Sequence, residues 1–174
     1  MQLIGHAAPE WSTQGWVNSK PVTPKDFRGQ VVLLRFLNDD AAGAAALLQL
    51  ERAYRDRGVA VVGIFNPTPM PAETSLDYVR DFVAAQGFDF PVALDSRWAT
   101  LNRYWPEGAD SSLTASAFLI DRKGIIRFIQ PDAMYEKNSR NKVLRKQYSN
   151  LEKEIQFLLT SEQADGGTPE ARKH

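Results

Sequence analysis

The sequence predicts one α/β domain built on a mixed sheet, and three patterns carry that expectation. Two apolar runs of strand length, VVLLRFL over Val31–Leu37 and VAVVGIF over Val59–Phe65, bracket a stretch with helical periodicity. Two later short apolar runs are separated only by Asp121-Arg122-Lys123-Gly124, a hairpin connection. Near the end, Leu144, Tyr148, Leu151, Ile155 and Leu158 recur at spacings of four and three, the apolar stripe of an amphipathic helix. Strand, helix and strand followed by a hairpin and a terminal helix give a sandwich with helices on both faces of the sheet.

The elements follow in order. Arg28-Gly29 marks the turn into the first buried strand. Asn38, Asp39 and Asp40 come next; these residue types cap helix N-termini and suit the positive end of the helix dipole. A helix is expected over 41–57, with Leu47, Leu50 and Tyr54 inward and Gly58 as its stop. After the second strand, the prolines at 67, 69 and 71 force a loop. Thr74 or Ser75 starts a helix that carries Leu76, Val79 and Val83 inward and ends near Gly87. A short strand over 90–94 precedes one or two helical turns containing Trp98, Leu101 and Trp105. Strands are expected over 115–120 and 125–129, and a last helix over 143–160. Residues 1–161 form the domain, with an N-terminal extension in which Trp11 and Trp16 pack onto the sheet. Residues 162–174 read as a polar, disordered tail.

Composition narrows the chemistry. The chain has 174 residues, 21 basic and 21 acidic, so it presents no global field for nucleic acid. It has no cysteine, which excludes a disulfide, a thiolate nucleophile and any Cys-ligated metal. Two histidines, His6 and His174, cannot build a His-rich metal site. No cofactor and no metal are expected. The first fifteen residues lack a basic and apolar leader pattern, and no apolar run reaches the roughly 20 residues a membrane helix needs, so a soluble, cytoplasmic protein is expected.

Five segments resemble the thioredoxin-like superfamily in its redoxin and TlpA-type branch. Gly5-His6-Ala7-Ala8-Pro9 is similar to that branch's G-x-x-A-P opening, and Trp16-Val17-Asn18-Ser19 with Pro21-Val22-Thr23 to its W-x-N-S-x-P-L-T segment. Residues 26–36 resemble D-L-R-G-K-V-V-L-L-x-F, residues 58–64 resemble G-V-x-V-V-G-I, and residues 118–126 resemble F-L-I-D-x-x-G-x-I. The resemblance implies a thioredoxin-like α/β/α sandwich with a mixed central sheet. It also implies a W-x-x-x-C-x-x-C motif after Phe36, with the cysteines at Ala41 and Ala44; this sequence reads Asp40-Ala41-Ala42-Gly43-Ala44 there. The Trp expected after Phe36 is Leu37. The proline expected before the F-L-I-D strand is missing from Leu113-Thr114-Ala115-Ser116-Ala117, and the peroxiredoxin P-x-x-x-[ST]-x-x-C motif is absent. Gln130-Pro131-Asp132 stands where the branch has H-P-G.

Thiol–disulfide exchange and peroxide reduction need a sulfur nucleophile. The sequence therefore predicts a redox-inactive thioredoxin-like domain that acts by protein–protein interaction or as a structural module. The alternative is a thiol–disulfide oxidoreductase or peroxidase whose two cysteines have been replaced by alanine. Candidate binding residues along the old substrate groove are Asp39, Asp40, Thr114 and Ala115, beside Leu37, the alanine run 41–46, Trp98 and Trp105. The partner expected there is a protein or an extended peptide, the oligomeric state is left open, and no nucleic acid or membrane is expected. Asp39 and Asp40 are weighed between an acid/base or cation site and a helix cap; a lone carboxylate pair is a poor Mg²⁺ or Ca²⁺ site. Residues 122–147 carry eight Lys or Arg against Asp132 and Glu136, read as a solvated face rather than an RNA surface, because only Tyr135 and Tyr148 interleave. His6 reads as a surface residue.

Overall fold

In a computed structural model, residues 3–41, 43–68, 74–132, 137 and 139–167 are described, the side chains as far as 161. Six strands form one mixed sheet: β1 (Trp16–Val17), β2 (Val31–Leu37), β3 (Val59–Phe65), β4 (Val92–Leu94), β5 (Ala117–Ile120) and β6 (Ile126–Gln130), in the spatial order β1-β4-β3-β2-β5-β6. β2, β3 and β4 are parallel neighbours, with Val31 opposite Val59 and Gly63 opposite Val92. β5 runs antiparallel to β2, with Leu34 opposite Phe118, and β6 antiparallel to β5. Four helices join them: α1 (Ala44–Tyr54), α2 (Leu76–Gln86), α3 (Ala99–Tyr104) and α4 (Lys142–Gly167).

The period-2 alternation of the central strands sorts the core into two layers. Val31, Leu33 and Leu37 of β2 face α1, α2 and α4, meeting Leu47, Leu50, Val79, Val83, Leu151 and Ile155. Val32, Leu34 and Phe36 face the other way, onto Trp98, Leu101 and Tyr104, with Trp11, Trp16 and Phe27 packed alongside. The N-terminal extension is thus pinned to the sheet. Trp11 Nε1 donates to the Tyr104 hydroxyl at 2.9 Å, which donates to the Pro9 carbonyl at 2.8 Å.

Several expectations are corrected. β1, two residues long, has no apolar run to announce it; it pairs antiparallel with β4 at Trp16 and Ala93. α1 starts at Ala44 rather than 41, and residues Arg55–Arg57 are a 3₁₀ turn. Asn38, Asp39 and Asp40 do not cap α1: its N-cap is Gly43, at φ 79°, with no side-chain cap. Residues Ser111–Ala115 form a 3₁₀ turn, so β5 begins two residues later than expected. β4 starts at Val92, because Pro91 has no N–H to give a ladder. Of the two caps the sequence offers for α2, Ser75 takes the position as expected, accepting from the Tyr78 N–H at 3.1 Å. α4 continues to Gly167, beyond residue 160, through part of the segment read as tail. The rest of that segment, 168–174, lies outside the described residues, as do Ala42, the loop residues 69–73, Tyr135 and Glu136. No helix among the described residues is long and apolar enough to cross a membrane.

Candidate functional site at the carboxyl edge of the parallel strands

The three parallel strands end side by side, and the chain leaves them through Asn38–Ala41, Asn66–Thr68 and Asp95–Trp98. The antiparallel β5 enters at the same edge, so the turn Ser111–Ala115 stands beside the loop after β2. In parallel α/β sheets this carboxyl edge, where loops replace ladder bonds, is the usual ligand site.

The loop after β2 is tied to both neighbours. Asn38 accepts from the Asp40 N–H at 2.8 Å, and its Nδ2 donates to Thr114 Oγ1 at 2.8 Å. Thr114 Oγ1 donates in turn to the Ser111 carbonyl at 2.6 Å. Asp39 accepts from the Tyr78 hydroxyl of α2 at 3.0 Å and from the Thr68 N–H at 3.4 Å. That bond to the carboxylate, together with its negative charge, pushes the Tyr78 hydroxyl above its ordinary pKa. These commitments explain why neither Asn38 nor Asp39 caps α1: each side chain satisfies a different backbone or hydroxyl partner.

Next to this loop, Arg35, Leu37, Asn38, Asp40, Ala41, Ala44, Phe82 and Ala115 line a pocket of ≈ 20 Å³. That is room for one water-sized group. Ala41 is exposed and Ala44 is 6% exposed. The Ala44 N–H donates to the Ala41 carbonyl at 3.0 Å, closing a turn across the two positions. Beneath them lies Arg35, 2% exposed in the middle of β2. The alternation that carries Leu33 and Leu37 to the α1 layer carries Arg35 there too, opposite Gly63 and Ala117. Its guanidinium donates to the Phe36 carbonyl. Leu37 fills the space that Gly63 leaves; a Cβ there would meet Leu37 Cδ1 at 2.8 Å.

Further along the edge, Asp95 is fully buried and organises the start of α3. It accepts from the Ala99 N–H at 2.8 Å, the Leu101 N–H at 3.0 Å and Asn66 Nδ2 at 2.9 Å. Burial raises its pKa and those hydrogen bonds pull against it, so the carboxyl sits above its ordinary value. Trp98 takes φ 60°, a strained conformation for a bulky residue, and its Nε1 donates to the Pro67 carbonyl at 2.9 Å. Trp105 Nε1 donates to Ser116 Oγ at 3.1 Å.

Of the four candidate binding residues, Asp40 and Ala115 line the pocket. Asp39 faces Tyr78 outside it, and Thr114 is fully buried behind Asn38. Sequence reasoning passed over Arg35, Asn66 and Asp95. Arg35 carries the clearest signal, as the one charged residue within an otherwise apolar strand. Elsewhere, Arg127 pairs with Asp121 at 2.7 Å and Arg122 reaches the Leu159 carbonyl, while Tyr148 is buried in the α4 stripe. His6 is exposed and engages through its backbone. Gln130 ends β6 and donates to the Gln147 carbonyl at 3.1 Å. Among the described residues no three His, Asp or Glu side chains gather to hold a metal.

The AhpC/TSA family profile matches residues 4–129. The chain is 34% identical over 142 residues to Protein DipZ of Mycobacterium bovis; the match covers 75% of this chain and 19% of that protein, so the chain spans about a fifth of its relative's length. Among solved structures, the thioredoxin-like superfamily protein SPOA0173 superposes with a TM-score of 0.67 at 24% identity, over 88% of this chain and 96% of that one. A thioredoxin-family thiol:disulfide interchange protein of Chlorobium tepidum gives 0.61 at 17% identity, over 88% and 95%. These likenesses establish the thioredoxin-like fold, and a family match spanning most of the domain, from the segment before β1 into β6, settles the lineage: the chain belongs to the AhpC/TSA family.

Proposed function

We propose that this chain is a redox-inactive thioredoxin-like domain that works by protein–protein interaction at the carboxyl edge of its sheet. The observation that supports the reading most is the replacement at the two thiol positions. Ala41 and Ala44 sit over the buried Arg35 where the resemblance implies a dithiol, and neither alanine nor a guanidinium can exchange disulfides or reduce a peroxide. The surroundings differ as well: Leu37 replaces the expected Trp, and Asn38 is bonded to Thr114. The reading includes a cytoplasmic location, to be checked by fractionation.

The tests are direct. The protein should leave insulin disulfides and hydrogen peroxide unconsumed in the presence of a reducing system. Affinity purification of the tagged protein from its own cells should yield a stoichiometric partner whose capture is lost when Asp39 and Asp40 are changed together to Ala. Lys25→Ala, away from this edge, should leave capture intact. Persistence of capture in the double variant would remove this edge from the interaction.

A second reading, a thiol–disulfide oxidoreductase whose cysteines have been replaced by alanine, has one supporting observation. Position 41 is exposed and position 44 buried across a closed turn, the disposition an attacking and a resolving thiol need. Intact mass of the protein taken from its own cells separates the two readings, since a mass greater by two sulfur atoms, one thiol at each position, would restore the enzyme.

A further inference from the structure

We infer that the start of α4 forms a cationic rim of the carboxyl edge and that an acidic polypeptide segment seats on it. The inference rests on the reading of this edge as an interaction surface and names the chemistry of the partner. Three contacts place the rim. Across the sheet Gln130 stands opposite Ala117, which stands opposite Arg35. Gln130 Nε2 donates to the Gln147 carbonyl at 3.1 Å, so the second turn of α4 is level with Arg35, two residues before β2 ends. Toward the other end of the helix, Arg122 reaches the Leu159 carbonyl and the Leu159 side chain lies beside Gly58, which precedes β3. α4 therefore runs from the carboxyl edge back to the opposite end of the strands, and its residues before 147 stand at the same end as the candidate site.

The eight basic residues of 122–147 separate in the structure. Arg122 and Arg127 meet the Leu159 carbonyl and Asp121, Lys137 stands over the Tyr148 ring at 5.9 Å, and Lys123 lies in the hairpin at the far end of the strands. The other four, Arg140, Lys142, Arg145 and Lys146, are exposed together at the start of α4. Arg145 donates to the Ser139 carbonyl at 2.8 Å, and none of the four is ion-paired with another described residue. Lys142 and Lys146 are like charges at spacing four, Lys142 and Arg145 at spacing three, and no acidic residue stands in the first turn. All four crowd the positive end of the helix dipole. Both features work against the helix by itself, and an anionic partner relieves both. Val143, 62% exposed, adds an apolar contact among them.

The anion is a polypeptide for two reasons. The same edge carries the exposed carboxylate of Asp39 beside α2, which packs by β1 and β4 on the other side of β2. A uniformly anionic surface, whether membrane or nucleic acid, meets repulsion there. Moreover, the apolar stripe of α4 is buried in the core, so no apolar face remains to enter a bilayer, and these first turns present no exposed aromatic for a base to stack on. A polypeptide of mixed charge can set carboxylates against the four cations, an apolar side chain on Val143 and a donor toward Asp39.

The test is fluorescence anisotropy with a labelled helical peptide of glutamate and leucine, its glutamine counterpart serving as control at the same ionic strength. Saturable binding of the glutamate peptide is expected, weakened by added salt. Lys142→Glu/Lys146→Glu should weaken it at least about tenfold. The same variant should raise the melting temperature of the free protein by about 2–4 °C, because the new charges suit the dipole and sit near Arg145. That rise shows that the loss of binding is not a loss of folding. An equal charge change at the far end of the strands, Lys25→Glu/Lys123→Glu, should leave binding intact. Equal binding of the glutamine peptide, undiminished binding in the α4 variant, or equal loss in the Lys25 and Lys123 variant would each overturn the inference. So would phosphatidylserine vesicles or a single-stranded oligonucleotide that bind more tightly than the peptide, which would assign the rim to a membrane or to nucleic acid. Partner capture that is lost in Asp39→Ala/Asp40→Ala but survives in the α4 variant would sink the rim while leaving the interaction reading intact. Peptide binding at the rim of a protein that captures no partner would do the reverse.

Discussion

Placing cysteines at positions 41 and 44 tests most sharply whether these are the dithiol positions that the resemblance implies. The Ala44 N–H to Ala41 carbonyl bond of 3.0 Å closes a four-residue turn. Such a turn holds its first and last Cα within about 7 Å, and a disulfide spans Cα separations of about 4.4–6.8 Å. The double variant Ala41→Cys/Ala44→Cys should therefore form an intramolecular disulfide under mild oxidation without moving the backbone. The pocket between the two positions leaves room for the added atoms. Closing a loop of four residues removes unfolded-state entropy corresponding to about 2 kcal/mol, so the oxidised variant should melt about 4–8 °C above its reduced form. Exposure adds a second readout. In single variants the thiol at exposed position 41 should react readily with a disulfide reagent, and the thiol at position 44, 6% exposed, should resist it. The first thiol lies just before the N-terminus of α1 and above Arg35, so its pKa should fall below the ordinary thiol value of about 8.5. Mass spectrometry, calorimetry and thiolate absorbance give the three measurements. If the variant cross-links only between molecules, or its oxidised form is the less stable, Ala41 and Ala44 are not the dithiol positions and the account of this edge fails.

Two further outcomes are expected. Gly63→Ala places a methyl 2.8 Å from Leu37 Cδ1 and 3.1 Å from Val92 Cγ2, so overpacking should cost about 1–3 kcal/mol in urea denaturation, with Leu37→Ala in the same chain recovering part of it; an unchanged midpoint would show that Leu37 moves freely. For Asp95, burial raises the folded-state pKa above its unfolded value, so the native state holds the proton more tightly and stability falls as pH rises from the ordinary carboxylate value through the raised one; the melting temperature should show that decline, and Asp95→Asn should flatten it.

Much of the fold was legible because local pattern and tertiary packing agree. β2 and β3 are apolar on both faces, and the structure buries both faces. Of the α4 stripe that the spacing selects, Tyr148, Leu151, Ile155 and Leu158 are buried, while Leu144 in the first turn is only half-buried. β1 is not legible in the sequence because two residues carry no periodicity, and Trp16 both packs onto the sheet and joins it. The start of α1 was misplaced for a different reason. Asn38, Asp39 and Asp40 have the chemistry of caps, and sequence alone does not say that Thr114 and Tyr78, 76 and 39 residues away, claim two of those side chains first. A glycine at φ 79° takes the cap position instead, contributing a backbone conformation rather than an acceptor.

The departures from local rule gather at one place. Arg35 interrupts an apolar strand, Trp98 holds φ 60°, Asp95 is a fully buried carboxyl and α1 begins without a side-chain cap, all at the carboxyl edge. At the opposite end of the strands the conflicts are milder: Asn18 takes φ 70°, a conformation Asn tolerates, and its side chain donates to the Phe88 and Phe90 carbonyls. A sequence that keeps its packing consistent elsewhere tolerates such conflicts where a site needs them, and each is destabilising unless something offsets it. If the chain were only a scaffold relieved of its dithiol, the space over β2 could close with an apolar side chain at position 35, which is cheaper to bury than a guanidinium. Arg35 instead keeps a guanidinium there, buried beneath Ala41 and Ala44 beside a small pocket, and a binding role at this edge would account for that conflict.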